Sequence, residues 1–277
     1  MFNTPFLQID IYNYYNIAKK LSLIDKIDIK SEDIQNITAM SNVLQKSGSR
    51  ALISIEGPIA YNASPIEKLI FGATSTVDIM SAVQDVAMDD KIKSVVFNVN
   101  SGGGEATKMH VLADMVHALS QKKATATLNT GLMASAAYYA GSQTGKVFLD
   151  DRMKQTGSNR TCVMLRDTTG MAEKAGIKVI PVSTGPLKGL PADGVEITEE
   201  VVEYAQDRVN ELQQGFNSAV NRVRPNADME DGSEARSGKT FSYDKSKELG
   251  LVDGIKSLDE VFAMLEAGNK YSRLKRS

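Results

Sequence analysis

Three short runs rich in β-branched and apolar residues, ALISI at 51–55, SVVFNV at 94–99 and ATATL at 124–128, are separated by segments whose apolar residues recur every three to four positions. That spacing leaves few folds open. A strand, a helix and a second strand in succession need a crossover, and crossovers join parallel strands, so the chain is expected to form an α/β domain around a parallel sheet. The first helical face, beginning at Thr76, is traced by Val77, Met80, Val83 and Val86/Ala87, and the second by Ala106, Met109, Leu112/Ala113 and Val116. KVFL at 146–149 adds a strand, and Ile177–Val182 is strand-like. A longer helix is expected from about Thr198 to Arg224, with Val201, Ala205, Val209, Leu212, Phe216 and Val220 on one face and Pro225 as its stop. Residues 1–50 are polar and aperiodic and read as an N-terminal extension with a short helix or two. No internal repeat or low-complexity linker divides the rest, so one continuous domain is expected.

Composition narrows the class of function. Hydrophobic residues at 42% and charged residues at 24% are those of a folded globular chain. Lys plus Arg is 32 against 34 for Asp plus Glu, which argues against the broad basic surface of a nucleic-acid binder. Local positive charge is confined to Lys270, Arg273, Lys275 and Arg276, read either as a solvated tail or as a tether to an acidic partner. A single cysteine, Cys162, excludes an intramolecular disulfide, and two histidines, His110 and His117, make no zinc cluster, so no metal is expected. The N-terminal stretch MFNTPFLQIDIYNYYNIAKK is broken by Asn and Asp where a signal peptide would be continuously apolar. No run approaches the roughly 18 apolar residues of a membrane helix. A cytoplasmic chain without a membrane partner is the expectation.

Two loops at the C-terminal ends of expected strands are placed where open α/β folds bind ligands. Ser101-Gly102-Gly103-Gly104-Glu105 would let a ligand approach backbone amides with no Cβ in the way. It lacks GxxxxGK[ST] and does not fit GxGxxG, which leaves a phosphate cradle, an oxyanion hole or merely a glycine-rich turn. The second loop carries Ser135 between Ala134 and Ala136, either as a nucleophile at a helix N-terminus or as a capping serine. A nucleophilic serine needs a base, and both histidines read as ordinary helix residues. A lysine can serve when its surroundings keep it neutral. Lys188, in VSTGPLKGLPADG, has a composition that suits a buried or half-buried amine on a loop.

The ordered set NSGGG at 100–104, GLMASAAYY at 131–139, TGS at 156–158 and STGPLKG at 183–189 resembles the signal peptide peptidase A family of Ser-Lys peptidases. The similarity extends to KELGLVDGIKSLDEVFAML at 247–265 and covers about residues 51–265, leaving 1–50 as an extension and 266–277 as a basic tail. It implies a fold like that of the caseinolytic protease and crotonase superfamily, built from repeated ββα units. It further implies Ser135 as nucleophile, Lys188 as general base and Ser158 as the hydroxyl that holds the lysine amine. Gly103, Gly104 and Ala136 become the oxyanion donors, and Gly131, Leu132 and Met133 the substrate-binding strand, with no cofactor. The sequence departs from the family pattern at Gly102, where proline is usual, at Ala136-Ala137, where two glycines are usual, and at Asn159-Arg160. The Ala-Ser-Ala-Ala-Tyr form and the stretch at 72–99 resemble the phage head maturation proteases. The expected activity is therefore a serine endopeptidase that cleaves scaffold or capsid polypeptides in a prohead within the host cytoplasm, assembled as a homo-oligomeric ring. The alternatives are a cytoplasmic signal-peptide or oligopeptide peptidase, a crotonase-like acyl-thioester enzyme and a catalytically idle capsid-assembly component.

Overall fold

The computed structural model describes residues 7–8 and 43–274. In chain order its elements are β1 (Leu7–Gln8), β2 (Leu44–Ser47), β3 (Arg50–Glu56), β4 (Ile59–Ala60), α1 (Pro65–Phe71), β5 (Thr74–Ser75), α2 (Thr76–Met88), β6 (Ser94–Ser101) and β7 (Gly104–Glu105). There follow α3 (Met109–Lys122), β8 (Ala124–Ala134), α4 (Ala136–Gly141), β9 (Val147–Leu149), β10 (Gln155–Gly157), α5 (Thr169–Lys174), α6 (Glu199–Val223), β11 (Thr240–Phe241), α7 (Tyr243–Glu248), β12 (Gly254–Ile255) and α8 (Leu258–Leu274).

The architecture is the expected α/β class, with a mostly parallel sheet. In the eight-stranded sheet the order is β11-β10-β8-β6-β3-β2, and β9 and β12 continue from β8 on a branch. Strands β3, β6, β8 and β10 run parallel, whereas β2 and β11 close the two ends antiparallel. A smaller sheet, β1-β7-β4-β5, stands beside it. The alternation of side chains along a strand explains why helices cover both faces. On β6, Val95, Phe97 and Val99 enter a core with Ile79, Val83 and Val86 of α2 and Met109, Leu112 and Val116 of α3. Val96 joins Ala126, Leu128 and Phe148 against Val261, Phe262 and Leu265 of α8.

Four sequence expectations need correction. Helix α2 buries Thr76, Ile79, Ala82, Val83 and Val86, so the true face is rotated away from Val77, which is exposed. The strand-like run Ile177–Val182 pairs with no strand among the described residues and is exposed. The sheet begins at Leu44, inside the stretch read as an extension, because β2 pairs with β3 from Leu44↔Ile53 to Ser47↔Arg50. The stretch read as a tail is helical through Leu274, and its Glu266 accepts from Arg50 Nε at 2.6 Å. The short helices expected at the N-terminus fall on residues 1–42, which apart from 7–8 lie outside the described residues.

Candidate active site

Three neighbouring parallel strands, β6, β8 and β10, end at one level. The register pairs Ser101 of β6 with Met133 of β8, and Thr156 and Gly157 of β10 with Met133 and Ala134. The residues that follow, the glycine loop, Ser135 and Ser158, therefore emerge together at the C-terminal edge of the sheet.

Ser135 stands between β8 and the six-residue α4 with φ 55° and ψ −123°. That backbone is rare outside glycine and is maintained by its surroundings. The Ser135 amide donates to Gly157 O at 2.9 Å, and Ser135 O accepts from the Tyr139 amide at 2.9 Å. The side chain makes no capping bond. Ser135 is 1% exposed, and its buried hydroxyl has no hydrogen-bond partner among the described residues. A buried hydroxyl left so costs about 1–3 kcal/mol, which counts against the capping-serine reading.

The helix behind it is fixed from inside. Tyr138 is fully buried and donates from its hydroxyl to Leu251 O at 3.0 Å, and burial pushes its pKa up. Tyr139 stacks on Phe216 of α6 at 4.7 Å between ring centroids, and burial pushes its pKa up to about 12. The segment at 250–253 is held in turn by Arg224, whose NH1 and NH2 both donate to the Asp253 carboxylate at 3.0 Å. Asp253 also accepts from the Val147 amide at 2.7 Å.

In the glycine loop the Ser101 hydroxyl donates to Gly57 O at 2.6 Å and accepts from the Gly103 amide at 3.1 Å. Gly103 O accepts from the Ile59 amide at 2.9 Å. No side chain fits at Gly104, where a Cβ would meet Ile59 O at 2.0 Å. Strand β1 lies antiparallel on the other side of β7, with Gln8↔Gly104 and Leu7↔Glu105 in register.

Ser158 also has a positive φ, 53°, and its amide donates to Lys239 O at 2.7 Å. Lys188 is placed differently. It is exposed in the segment that follows α5, its amide donates to Gly185 O at 3.2 Å, and its amine does not bond to the Ser135 hydroxyl. The structure thus gathers Ser135, Ala136, Ser158, the glycine loop and the strand at 131–133, and leaves Lys188 apart from them in this conformation.

Two asparagines missed from the sequence shape this edge. Asn129 accepts from the Gly131 amide at 3.0 Å and donates to Gln155 O at 2.8 Å, tying β8 to β10. Asn100 accepts from the Leu132 amide at 3.1 Å. Asn100 lies inside the NSGGG motif, whose glycines are its conspicuous residues.

The model of peptidase family S49 matches residues 117–272, which contain Ser135, Ser158 and Lys188 and begin after the glycine loop. A protein of Methanocaldococcus jannaschii named as a protease is 28% identical over 187 residues, 68% of this chain and 60% of that protein. Protease 4 of Haemophilus influenzae is 24% identical over 210 residues, 76% of this chain and 33% of its own length. Protease 4 of Salmonella typhi is 24% identical over 190 residues, 66% of this chain and 29% of its own length. The chain therefore spans less than two thirds of each of these relatives. Among solved structures, an enoyl-CoA hydratase/isomerase family member aligns over 83% of this chain and 74% of its own, at 14% identity and a TM-score of 0.45. With more than half its length matched by the family model, the chain belongs to peptidase family S49.

Proposed function

We propose that this chain is a serine endopeptidase in which Ser135 attacks the scissile carbonyl and Lys188 is the general base. The observation that carries the reading is the Ser135 hydroxyl, buried, without a hydrogen-bond partner among the described residues, and held on a positive-φ backbone at the end of a parallel sheet. In the reaction, neutral Lys188 takes the Ser135 proton as the oxygen bonds to the carbonyl carbon. Backbone amides of the glycine loop and of Ala136 stabilise the resulting oxyanion. The lysine then returns the proton to the leaving amine, and water releases the acyl group from Ser135 by the same steps. Ser158, next in register after the Gly157–Ala134 pair, supplies the hydroxyl that orients the amine.

Lys188 must reach Ser135 for this chemistry, and its segment presents apolar surface to be covered. Residues 161–198 carry Met164, Met171, Ile177, Ile180 and Val182 on the outside, with Val182 94% exposed. Apolar surface of that extent is normally buried in the working state. We read it as the contact by which copies of the chain close into a homo-oligomeric ring, seating Lys188 at a Ser135.

The substrate is proposed to be scaffold or capsid polypeptide cleaved inside a phage prohead. The Ala134-Ser135-Ala136-Ala137-Tyr138 form and the stretch at 72–99 support this reading. Confinement of enzyme and substrate in a small volume would raise their effective concentration. Co-expression with the capsid and scaffold genes tests it: processed bands should appear with wild type and be absent with Ser135→Ala. Identical patterns from both would remove the prohead role, and cleavage of signal or other short peptides by the purified enzyme would then favour the oligopeptidase alternative.

A further inference from the structure

Asn100 is the penultimate residue of β6, just before the glycine loop, and is exposed, yet its carboxamide is fixed. Its Oδ1 accepts the Leu132 amide at 3.1 Å. Because that partner is an N–H donor, the atom facing it must be the oxygen, so the orientation of the amide group is set by the network. The group also packs against Gly131, where a Cβ would meet Oδ1 at 2.0 Å and the amide carbon at 2.5 Å. No other residue fits at 131 with Asn100 in place.

Holding the oxygen determines where the nitrogen goes. Asn100 Nδ2 has two N–H donors and no hydrogen-bond partner among the described residues. The neighbouring polar groups are already engaged: Thr130 Oγ1 donates to Asn98 Oδ1 at 2.9 Å, and the Gly131 amide donates to Asn129 Oδ1 at 3.0 Å. The β6–β8 ladder is irregular between Val99 and Ser101, so in this stretch side chains take amides that a partner strand would otherwise satisfy. Gly131 and Leu132 are half-buried, three to four positions before Ser135. A preoriented donor with no partner among the described residues therefore stands beside Gly131 and Leu132, on the strand that runs to Ser135.

An extended polypeptide brings a carbonyl and an N–H from every residue, and each needs a new partner when water is displaced. We propose that Asn100 is a substrate-binding residue whose Nδ2 donates to a backbone carbonyl of the extended substrate near the scissile bond. This rests on Ser135 as the nucleophile. Recognition of backbone rather than side chain makes the contact independent of the substrate's sequence.

Two variants of the full chain separate this role from that of a strand brace. Asn100→Asp keeps an oxygen for the Leu132 amide and removes the donor; Asn100→Ala removes both. Each is compared with wild type for cleavage of an internally quenched casein-derived peptide and for the rate of labelling by a small fluorophosphonate, which needs Ser135 but no extended chain. The expected result is that both variants lose about tenfold in kcat/KM, mostly through KM, as for one lost hydrogen bond. Asn100→Asp should label at the wild-type rate and melt at the wild-type temperature. Peptide cleavage restored by Asp to within twofold of wild type would overturn the proposal and make Asn100 a brace. Labelling that falls in step with cleavage in Asn100→Asp would overturn it equally, because the damage would then lie at Ser135. A wild-type enzyme that cleaves the peptide but takes no label would remove the Ser135 reading, and this inference with it.

Discussion

Ser135 combines two features that stability alone would select against, a positive φ and a buried hydroxyl without a partner. Both costs are removable by mutation, which gives the site a signature that an ordinary core serine lacks. Ser135→Ala should abolish peptide cleavage and leave the protein equally or more stable, since an unpaired hydroxyl costs about 1–3 kcal/mol. Calorimetry with a cleavage assay checks both halves, and a marked loss of stability would mean that the hydroxyl has a structural partner. Lys188→Arg should be inactive as well, because a guanidinium stays protonated and cannot take the serine proton. Near-normal activity in that variant would end the dyad assignment. Ser158→Ala should slow the reaction without stopping it and shift the rising, acid-side limb of its pH profile, where the amine becomes free to accept a proton, since the hydroxyl orients and holds that amine. An unchanged rate and profile would return Ser158 to the role of a turn residue. At this scale the serine and glycine positions were legible because their types and order are unusual. Asn100 was not, since its partner, Leu132, is 32 positions away and the bond exists only once β6 and β8 are paired.

Among the elements, the parallel strands and their crossover helices could be read from the sequence, and the exceptions have physical causes. Helix α2 carries apolar residues around more than half its circumference, so spacing alone fits two faces, and packing against β3 chose Ile79 and Ala82 over Val77. The apolar run Ile177–Val182 satisfies the composition of a strand but finds no edge to pair with. The closing Leu-Val-Asp segment is legible only as a resemblance, yet the structure gives its reason. Arg224 is 7% exposed in its side chain, and Asp253 is its carboxylate partner while also taking the Val147 amide. Asp253→Ala would leave a buried guanidinium unpaired and should destabilise the fold by about 3 kcal/mol. Because Tyr138 of α4 bonds to Leu251 in the same segment, fluorophosphonate labelling should also weaken at temperatures where the fold is still intact. A thermal melt and labelling rates taken together test this, and a variant matching wild type in both would show that the pair contributes little.

For the whole molecule, the sheet and its two cores are complete within one chain, whereas the segment at 161–198 is not. It carries the proposed base and a set of exposed apolar side chains, and near its root the Thr161 amide donates to Gln213 Oε1 at 2.7 Å. An arm of this kind loses conformational entropy when it docks, so docking needs apolar area to offset that loss, and Met171, Ile180 and Val182 offer it. Closed symmetry is the common outcome when identical chains cover such a surface. The purified protein should therefore run well above the 30.0 kDa of one chain in light scattering at micromolar concentration. Placing charge on the arm, as in Ile180→Asp with Val182→Asp, should return it to a monomer. The same variant should lose peptide cleavage while Ser135, Ser158 and the glycine loop keep their places, because the base would no longer be seated. A protein that is monomeric and fully active before the substitutions would sink the ring. A variant that dissociates yet cleaves at the wild-type rate would show instead that Lys188 reaches Ser135 without help from the assembly.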